Sequence, residues 1–247
     1  MPRTKSVEIQ VAPPIEMGGD AVWRDAPAPS SLPAAHKKEL WVITYPSMAE
    51  DQDAELKYML HYLDAEAGKA LVADAPISAQ GVARAISLAD YLQGTVGLDK
   101  IYVSPYLRAL QIAQHIGWVA NRKLLVEPGL GNAPHSRTKL PTAKEFFMSF
   151  PSVDLHHCPA SRHPHWEDTV LESLPRMLDV GLDITEHMSA RQKIALVTHS
   201  VSAIALVAGL VAGCTRSCYE QEPDKLNKLR HLLQVQSINQ NLLSTLK

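Results

Sequence analysis

The apolar residues of the chain alternate between short continuous runs and longer segments with helical spacing. Runs of the first kind occur at residues 40–44, 100–104, 123–128 and 193–199. Apolar runs of four to eight residues are typical of strands that are buried on both faces of a sheet. Because these strands alternate with helices, the pattern predicts an α/β fold with three layers, in which a mostly parallel sheet lies between helices.

Apolar residues at helical spacing fill the segments between these strands. Ser78 is a suitable N-cap for a helix that continues to Gly94, since serine accepts a hydrogen bond from the first turn and glycine favours helix ends. Pro105 suits the first turn of a second helix, which continues to Ala120. The same periodicity predicts further helices at 54–63, 167–188 and 202–213.

Two segments lack this periodicity. Residues 1–38 contain six prolines together with Gly18-Gly19 and Ser30-Ser31, so we predict a disordered tail there and one domain over residues 39–247. Residues 129–165 are rich in histidine and proline and are predicted to be irregular.

Composition and charge exclude several classes of protein. The 247 residues include 46% hydrophobic and 20% charged residues, with a net charge of −2, which is ordinary for a globular protein and predicts no binding of nucleic acid. The sequence has three cysteines, Cys158, Cys214 and Cys218, and a small, odd number of cysteines predicts no disulfide framework. An acidic N-terminus without an apolar core predicts a cytoplasmic protein, with the nucleus as the alternative compartment.

The most apolar stretch, residues 194–213, has the length of a membrane span but a polar centre. Thr198, His199, Ser200 and Ser202 interrupt it. A spanning helix needs about 20 largely apolar residues. We therefore predict a strand, a polar turn and a buried helix in this stretch, and no association with a membrane.

Residues 156–165 offer several side chains of the types that bind zinc. Their spacing matches no closed structural site, and two prolines fall within the run. We therefore predict no metal site, although the run contains His156, His157, Cys158, His163 and His165.

Polar residues follow several of the predicted strands. In open parallel sheets, ligands bind at the carboxyl ends of the strands. Tyr45, Ser104, His199 and the loop after Pro128 should therefore lie near one another. The spacing of apolar residues identifies this edge as the candidate site and says nothing about its chemistry.

Three segments together resemble the histidine phosphatase (phosphoglycerate mutase-like) superfamily. APISAQGVARAISLADYL is similar to the family's Pro-Leu-Thr-x-x-Gly helix, and IYVSPYLRALQIAQHI to its Ser-Pro-x-x-Arg-x-x-Gln-Thr-Ala segment. IALVTHSVSAIAL is similar to the strand and loop that carry the second active-site histidine. The segments DAPIS, VEPGLGN and FPSVDLHHCP resemble the Sts and ecdysteroid-phosphate phosphatase branch, to which a fungal transcription-factor subunit is related.

The resemblance implies a site in which one histidine attacks phosphate while arginines and a second histidine hold the phosphoryl oxygens. Arg108 and His199 match the phosphate-binding arginine and the second histidine. Tyr45 stands at the position of the nucleophilic histidine, Thr44 at that of the preceding arginine, and Asn132 at that of the acidic glutamate. A phenol, with a usual pKa of about 10, and an amide supply neither a good base nor an acid at pH 7. Arg108, His199 and Thr44 are the residues expected to face a phosphate.

Three hypotheses about function stay open. The first is a catalytically inactive pseudophosphatase that binds or scaffolds, since Tyr45, Thr44 and Asn132 occupy catalytic positions. The second is a residual phosphatase that hydrolyses phosphotyrosine-like or small phosphate monoesters with Arg108 and His199. The third is a subunit of a larger complex that binds a protein partner through its tail. The resemblance also implies a phosphate or phosphorylated ligand, a homodimer and no cofactor.

Overall fold

The computed structural model describes the central part of the chain in several ranges. They are residues 7–11, 38–44, 76–131, 143–160 and 170–199, with positions 202, 203, 206, 207 and 210 of a following helix. The helix predicted at 54–63 lies outside these ranges. Within them, no helix has both the length and the apolar character that crossing a membrane requires.

The strands of the described residues form one parallel sheet. They are β1 (Val7–Val11), β2 (Lys38–Thr44), β3 (Lys100–Val103), β4 (Leu124–Val126) and β5 (Lys193–Thr198). Their order across the sheet is β1-β2-β5-β3-β4, and every neighbouring pair is parallel. Because β5 lies between β2 and β3, the strand order reverses there, at the kind of place where open α/β sheets bind ligands.

The prediction of a disordered tail over residues 1–38 is wrong for β1 and for Lys38. All five residues of β1 pair in parallel with residues 38–42 of β2. The sequence VEIQV alternates apolar and polar residues, which is the pattern of a strand with one buried face. A search for continuous apolar runs does not detect such a strand. The remainder of the division into tail and domain stays a prediction.

The helices of the described residues connect these strands. They are α1 (Ala79–Thr95), α2 (Leu107–Ala120), α3 (Ala143–Ser149) and α4 (Val170–Glu186), with a short 3-10 helix at Pro128–Leu130. The predicted N-cap of α1 is confirmed, because the Ser78 side chain accepts a hydrogen bond from the Gly81 N–H at 3.1 Å. The backbone N–H of Ile77 donates to the Gln111 side chain at 2.8 Å, which ties the start of α1 to α2.

Two predicted boundaries need correction. The second helix begins two residues after Pro105, because Tyr106 has an extended backbone and serves as the N-cap. The segment 129–165, predicted to be irregular, contains α3 and the isolated bridge between Leu124 and Val153. Phe146 and Phe150 are buried in the core, and their four-residue spacing is the helical signal that the many prolines and histidines obscured.

The two faces of the sheet are covered by different helices, as the prediction of three layers requires. Side chains alternate along β5, so that Ala195 and Val197 pack with α1, α2 and α3 while Ile194 and Leu196 pack with α4. On the α4 side, the helix after β5 approaches so closely that a Cβ on Gly181 would overlap the Leu206 side chain. The predicted three-layer α/β/α fold is therefore confirmed.

Candidate functional site

The carboxyl ends of β2, β5 and β3 lie side by side in the sheet. Thr44 and Thr198, the last residues of β2 and β5, are partners in register. β3 pairs with the other edge of β5, and the backbone N–H of Ser104 continues this ladder by donating to a β5 carbonyl at 2.9 Å. Ser104 and His199 are the residues that follow β3 and β5, so the predicted proximity of these two residues is confirmed.

Ser104 and His199 form a buried side-chain contact. The Oγ atom of Ser104 lies 2.9 Å from Nε2 of His199. The two residues are 0% and 3% exposed. The ring of Tyr106 meets the imidazole edge-on, with 4.9 Å between centroids and an angle of 87° between planes. Because the imidazole has contacts on its edge and on its ring, its orientation is fixed.

The first turn of α2 lies beside this group, because Tyr106 is the N-cap of the helix. Arg108 is the second residue of α2 and is partly buried. The N-terminus of a helix carries the positive end of the macrodipole, which favours anions. A guanidinium group in the same turn adds a full positive charge and a planar pair of donors that suits phosphate. This corner of the site therefore has the chemistry of an anion-binding position.

The turn after β4 is fixed by hydrogen bonds from two other elements. Thr198 Oγ1 donates to the Leu130 carbonyl at 2.7 Å. Nη1 of Arg176, on α4, donates to three carbonyls of the turn at 3.4, 3.0 and 3.1 Å, those of Pro128, Gly129 and Gly131. The turn that leads into Asn132 is thus held rigidly. Sequence reasoning missed Arg176, since nothing distinguishes this arginine from a surface residue of a helix.

Glu127 is a fully buried carboxylate at the end of β4. Its Oε2 accepts a hydrogen bond from the Ala160 N–H at 2.9 Å and lies 3.7 Å from Nε2 of His157. The ring of Tyr102 packs edge-on against His157. Burial, followed by the negative charges of Glu127 and Asp183, raises the pKa of Tyr102. These contacts anchor the chain after α3 over the end of β4. In the sequence, the feature that could have indicated them is a glutamate directly after an apolar run.

The remaining predicted site residues divide into two groups. Thr44 is partly buried at the end of β2, where it pairs with Thr198. In the sequence, Tyr45 follows Thr44 and His199 follows Thr198. Tyr45 and Asn132 lie outside the described residues, so their predicted positions in the site stay predictions.

The histidine- and cysteine-containing run at 156–165 is described only as far as Ala160. Cys158 is exposed there, and His157 contacts Glu127 as given above. His163 and His165 lie outside the described residues. In the part of the chain that the structure covers, no three histidine, cysteine or acidic side chains come close enough together to hold a metal ion.

Comparison of the sequence with protein families gives one match. The model of the histidine phosphatase superfamily (branch 1) matches residues 70–226. This span covers more than half of the chain and includes Arg108 and His199, whereas β2 with Thr44 precedes it. No curated protein is similar enough in sequence to match.

Two of the solved structures that match are phosphatases of low sequence identity. The ecdysone phosphate phosphatase from Bombyx mori, solved with tungstate, is 21% identical over 62% of this chain, with a TM-score of 0.50. A mycobacterial glucosyl-3-phosphoglycerate phosphatase is 18% identical, with 56% of this chain and 70% of that chain covered and a TM-score of 0.40. The chain spans 62% of the length of the Bombyx mori protein. At this identity the likeness concerns the fold.

Proposed function

Because the chain belongs to the histidine phosphatase superfamily, we propose that it is a pseudophosphatase, which binds a phosphate or phosphorylated ligand and serves as a binding or scaffolding module. Family membership supplies the expected chemistry of the site, namely attack by a histidine on a phosphoryl group held by cationic donors. The chain retains some of these groups and has other residues in place of the rest.

The binding groups are retained on one side of the site. Arg108 stands in the first turn of α2, and His199 follows β5. The hydrogen bond with Ser104 and the edge of Tyr106 hold His199 in a fixed orientation. Preorganised donors of this kind stabilise an anion without a cost of rearrangement. This supports binding of a phosphate group.

The observation that carries the proposal is Thr44 at the end of β2. Thr44 pairs with Thr198, and His199 is the residue that follows Thr198 in the sequence. At this position the family resemblance expects an arginine, and a threonine supplies neither positive charge nor a planar pair of donors. Loss of a single transition-state donor costs about 10²–10³ in rate. Tyr45 and Asn132 in the sequence add the loss of the nucleophile and of the acid.

The direct test is hydrolysis of an aryl phosphate by the purified protein, with Arg108→Ala as the matched control. We expect the wild-type rate to equal that of the control. A wild-type rate several-fold above the control, abolished again by His199→Ala, would overturn the proposal.

The retained Arg108 and His199 favour a second candidate function, a residual phosphatase for phosphotyrosine-like or small phosphate monoesters. A water molecule or another histidine would then have to replace the missing nucleophile. Trapping a labelled phospho-enzyme and mapping the label to a single residue would support this candidate. An unlabelled protein with no turnover over a panel of phosphate esters would exclude it.

Finer assignments extend the proposal from the sequence alone. They are membership of the Sts and ecdysteroid-phosphate phosphatase branch, a homodimer, a protein partner bound through the N-terminal segment, and a cytoplasmic or nuclear location. Because residues 7–11 form β1, deletion of residues 1–38 would also remove a strand of the sheet. Trp23 is the one tryptophan among residues 1–38 and the candidate docking residue, so Trp23→Ala tests the docking role without this loss. Retention of every co-purifying partner by this variant would remove the docking hypothesis.

A further inference from the structure

The hydroxyl of Ser104 has a single described use. It is fully buried, and its Oγ atom contacts Nε2 of His199 at 2.9 Å. Within the described residues, this is the one hydrogen bond of the Ser104 side chain. The distance fits either direction of donation, because a serine hydroxyl is both donor and acceptor and each imidazole nitrogen is one or the other according to the tautomer.

The burial of Ser104 decides between these two directions. If Nε2 carried the proton and donated to Oγ, the hydroxyl proton would be buried without an acceptor. Buried donors are almost always paired, whereas an oxygen with a spare lone pair is tolerated more often. The arrangement with the paired donor is therefore the one in which Ser104 donates and Nε2 accepts.

We propose that Ser104 is a positioning residue that holds His199 in the tautomer with its proton on Nδ1. The ring is also fixed by the edge of Tyr106, at 4.9 Å between centroids. The backbone is fixed too, because the His199 carbonyl accepts a hydrogen bond from the Ala203 N–H at 2.8 Å. The contact of Ser104 selects the tautomer, and the other two contacts select the direction of the ring.

The tautomer has a consequence for an anion in the site. A neutral imidazole with its proton on Nδ1 is a hydrogen-bond donor at that atom without becoming a cation. The positive charge of the site then comes from Arg108 and the start of α2. Ser104, two residues before the N-cap of α2, thereby couples the end of β3 to the state of His199.

The tautomer is measured directly by long-range proton–nitrogen correlation spectra of the histidine side chains at pH 7.5. The signals of His199 are assigned by their absence in His199→Gln. We expect Nδ1 to have the chemical shift of a protonated nitrogen and Nε2 that of a bare nitrogen that accepts a hydrogen bond. A spectrum in which Nε2 is the protonated atom, or in which both nitrogens are, would overturn the proposal.

A matched pair of serine variants tests the role of the hydroxyl. Ser202 is 1% exposed, and its Oγ atom has no hydrogen-bond partner in the described structure. We expect Ser104→Ala to lose the Nδ1-protonated pattern of His199, Ser202→Ala to keep it, and Ser104→Thr to keep it through its own hydroxyl. An unchanged His199 pattern in a folded Ser104→Ala protein would contradict the role. If Ser104→Ala does not fold, the wild-type and Ser104→Thr spectra still decide the direction of donation.

The effect on a ligand is measured with inorganic phosphate, and this part rests on the proposed function. Ser104→Ala should weaken phosphate binding about five-fold, as expected for one lost hydrogen bond, while Ser202→Ala should leave it unchanged. Equal weakening by both variants would show a packing effect and contradict positioning by Ser104. Absence of phosphate binding by the wild type would count against the proposed function, and the tautomer would still be decided by the spectra.

Discussion

The β3–β5 side and the β2 side of the carboxyl edge differ in what they retain. On the β3–β5 side, the buried side chains of Ser104 and His199 contact each other and the partly buried ring of Tyr106 packs on the imidazole. The helix α2 begins beside them with Arg108 in its first turn. On the β2 side, the strand ends in Thr44, and the sequence continues with Tyr45 and Pro46 in place of the histidine expected from the family.

Under the proposed function, this difference means that binding and bond-making are separated in this fold. The groups proposed to hold an anion lie at the end of β5 and the start of α2, whereas the position at which the family resemblance expects the nucleophile follows β2. Interactions that are equally strong in the ground state and the transition state bind a ligand without accelerating its reaction. A chain can therefore lose the second side and keep a use for the first.

The sharpest way to break the comparison is to restore the β2 side. Thr44→Arg, Tyr45→His and Asn132→Glu combined should raise aryl phosphate hydrolysis at least about 100-fold over the wild type, because nucleophile, charge and acid act together. Steady-state rates give the measurement, and the same triple variant with Arg108→Ala is the control. A triple variant that folds and remains at the wild-type rate would show that the β3–β5 side no longer supports the chemistry.

The next largest effect concerns the turn after β4, which Thr198 of β5 and Arg176 of α4 contact. Arg176→Ala removes the donor to three carbonyls of the turn after β4. We expect a loss of about 2–4 kcal/mol in the free energy of unfolding, since hydrogen bonds from charged groups are strong and the buried carbonyls lose their donor. Urea unfolding measures the loss. Lys144→Ala, at an exposed position of α3, is the control and should change stability little. Equal losses in both variants would contradict the stabilising role of the hydrogen bonds from Arg176.

A smaller loss of stability is expected from overpacking between α4 and the helix after β5. Gly181→Ala places a methyl group into the Leu206 side chain, so it should destabilise the protein by about 1–3 kcal/mol. Gly94→Ala is the matched control, because a Cβ there meets nothing within 4 Å. It should stabilise α1 by about 0.5–1 kcal/mol. Thermal unfolding compares the two, and stabilisation by both changes would contradict the close contact between α4 and the helix after β5.

The smallest expected effect is on the pH dependence of the unfolding free energy, to which Tyr102 of β3 contributes. The pKa of Tyr102 is raised above 10.0, chiefly by burial. As the pH rises, Tyr102 therefore loses its phenol proton in the unfolded chain before it does so in the folded protein. The contribution of Tyr102 to stability is complete below pH 10 and is lost as the pH rises through its pKa in the folded protein. Unfolding free energies between pH 9 and pH 11 should fall less steeply in Tyr102→Phe than in the wild type. Identical slopes would show that the pKa of Tyr102 is not raised in the folded protein.

Much of the sheet could be predicted from the sequence, because four of its strands are continuous apolar runs. These runs fixed the expectation of a three-layer fold, and the superfamily predicted from three segments is confirmed by the family match. β1 was missed because its residues alternate between apolar and polar, and α3 was missed because its buried Phe146, and Phe150 directly after it, lie in a segment rich in prolines and histidines. In both segments the periodic apolar residues are hidden by the polar residues, prolines or histidines around them.

The site was predictable only where neighbouring strands fix the geometry. Ser104 and His199 follow adjacent parallel strands, so their proximity follows from strand order. The contacts of Arg176 with the turn after β4 join residues more than 40 positions apart in sequence, and they depend on how α4 packs. No local pattern predicts such a contact. The roles assigned to Tyr45 and Asn132 stay predictions from the resemblance.

The central claim, retained binding without turnover, is tested most directly by phosphorus NMR of an aryl phosphate incubated with the protein. We expect wild-type protein to broaden and shift the ester signal and Arg108→Ala to leave it unchanged, while neither protein releases inorganic phosphate above the buffer rate. Release of inorganic phosphate by the wild type faster than by Arg108→Ala, or an ester signal that the wild type does not affect, would contradict the account.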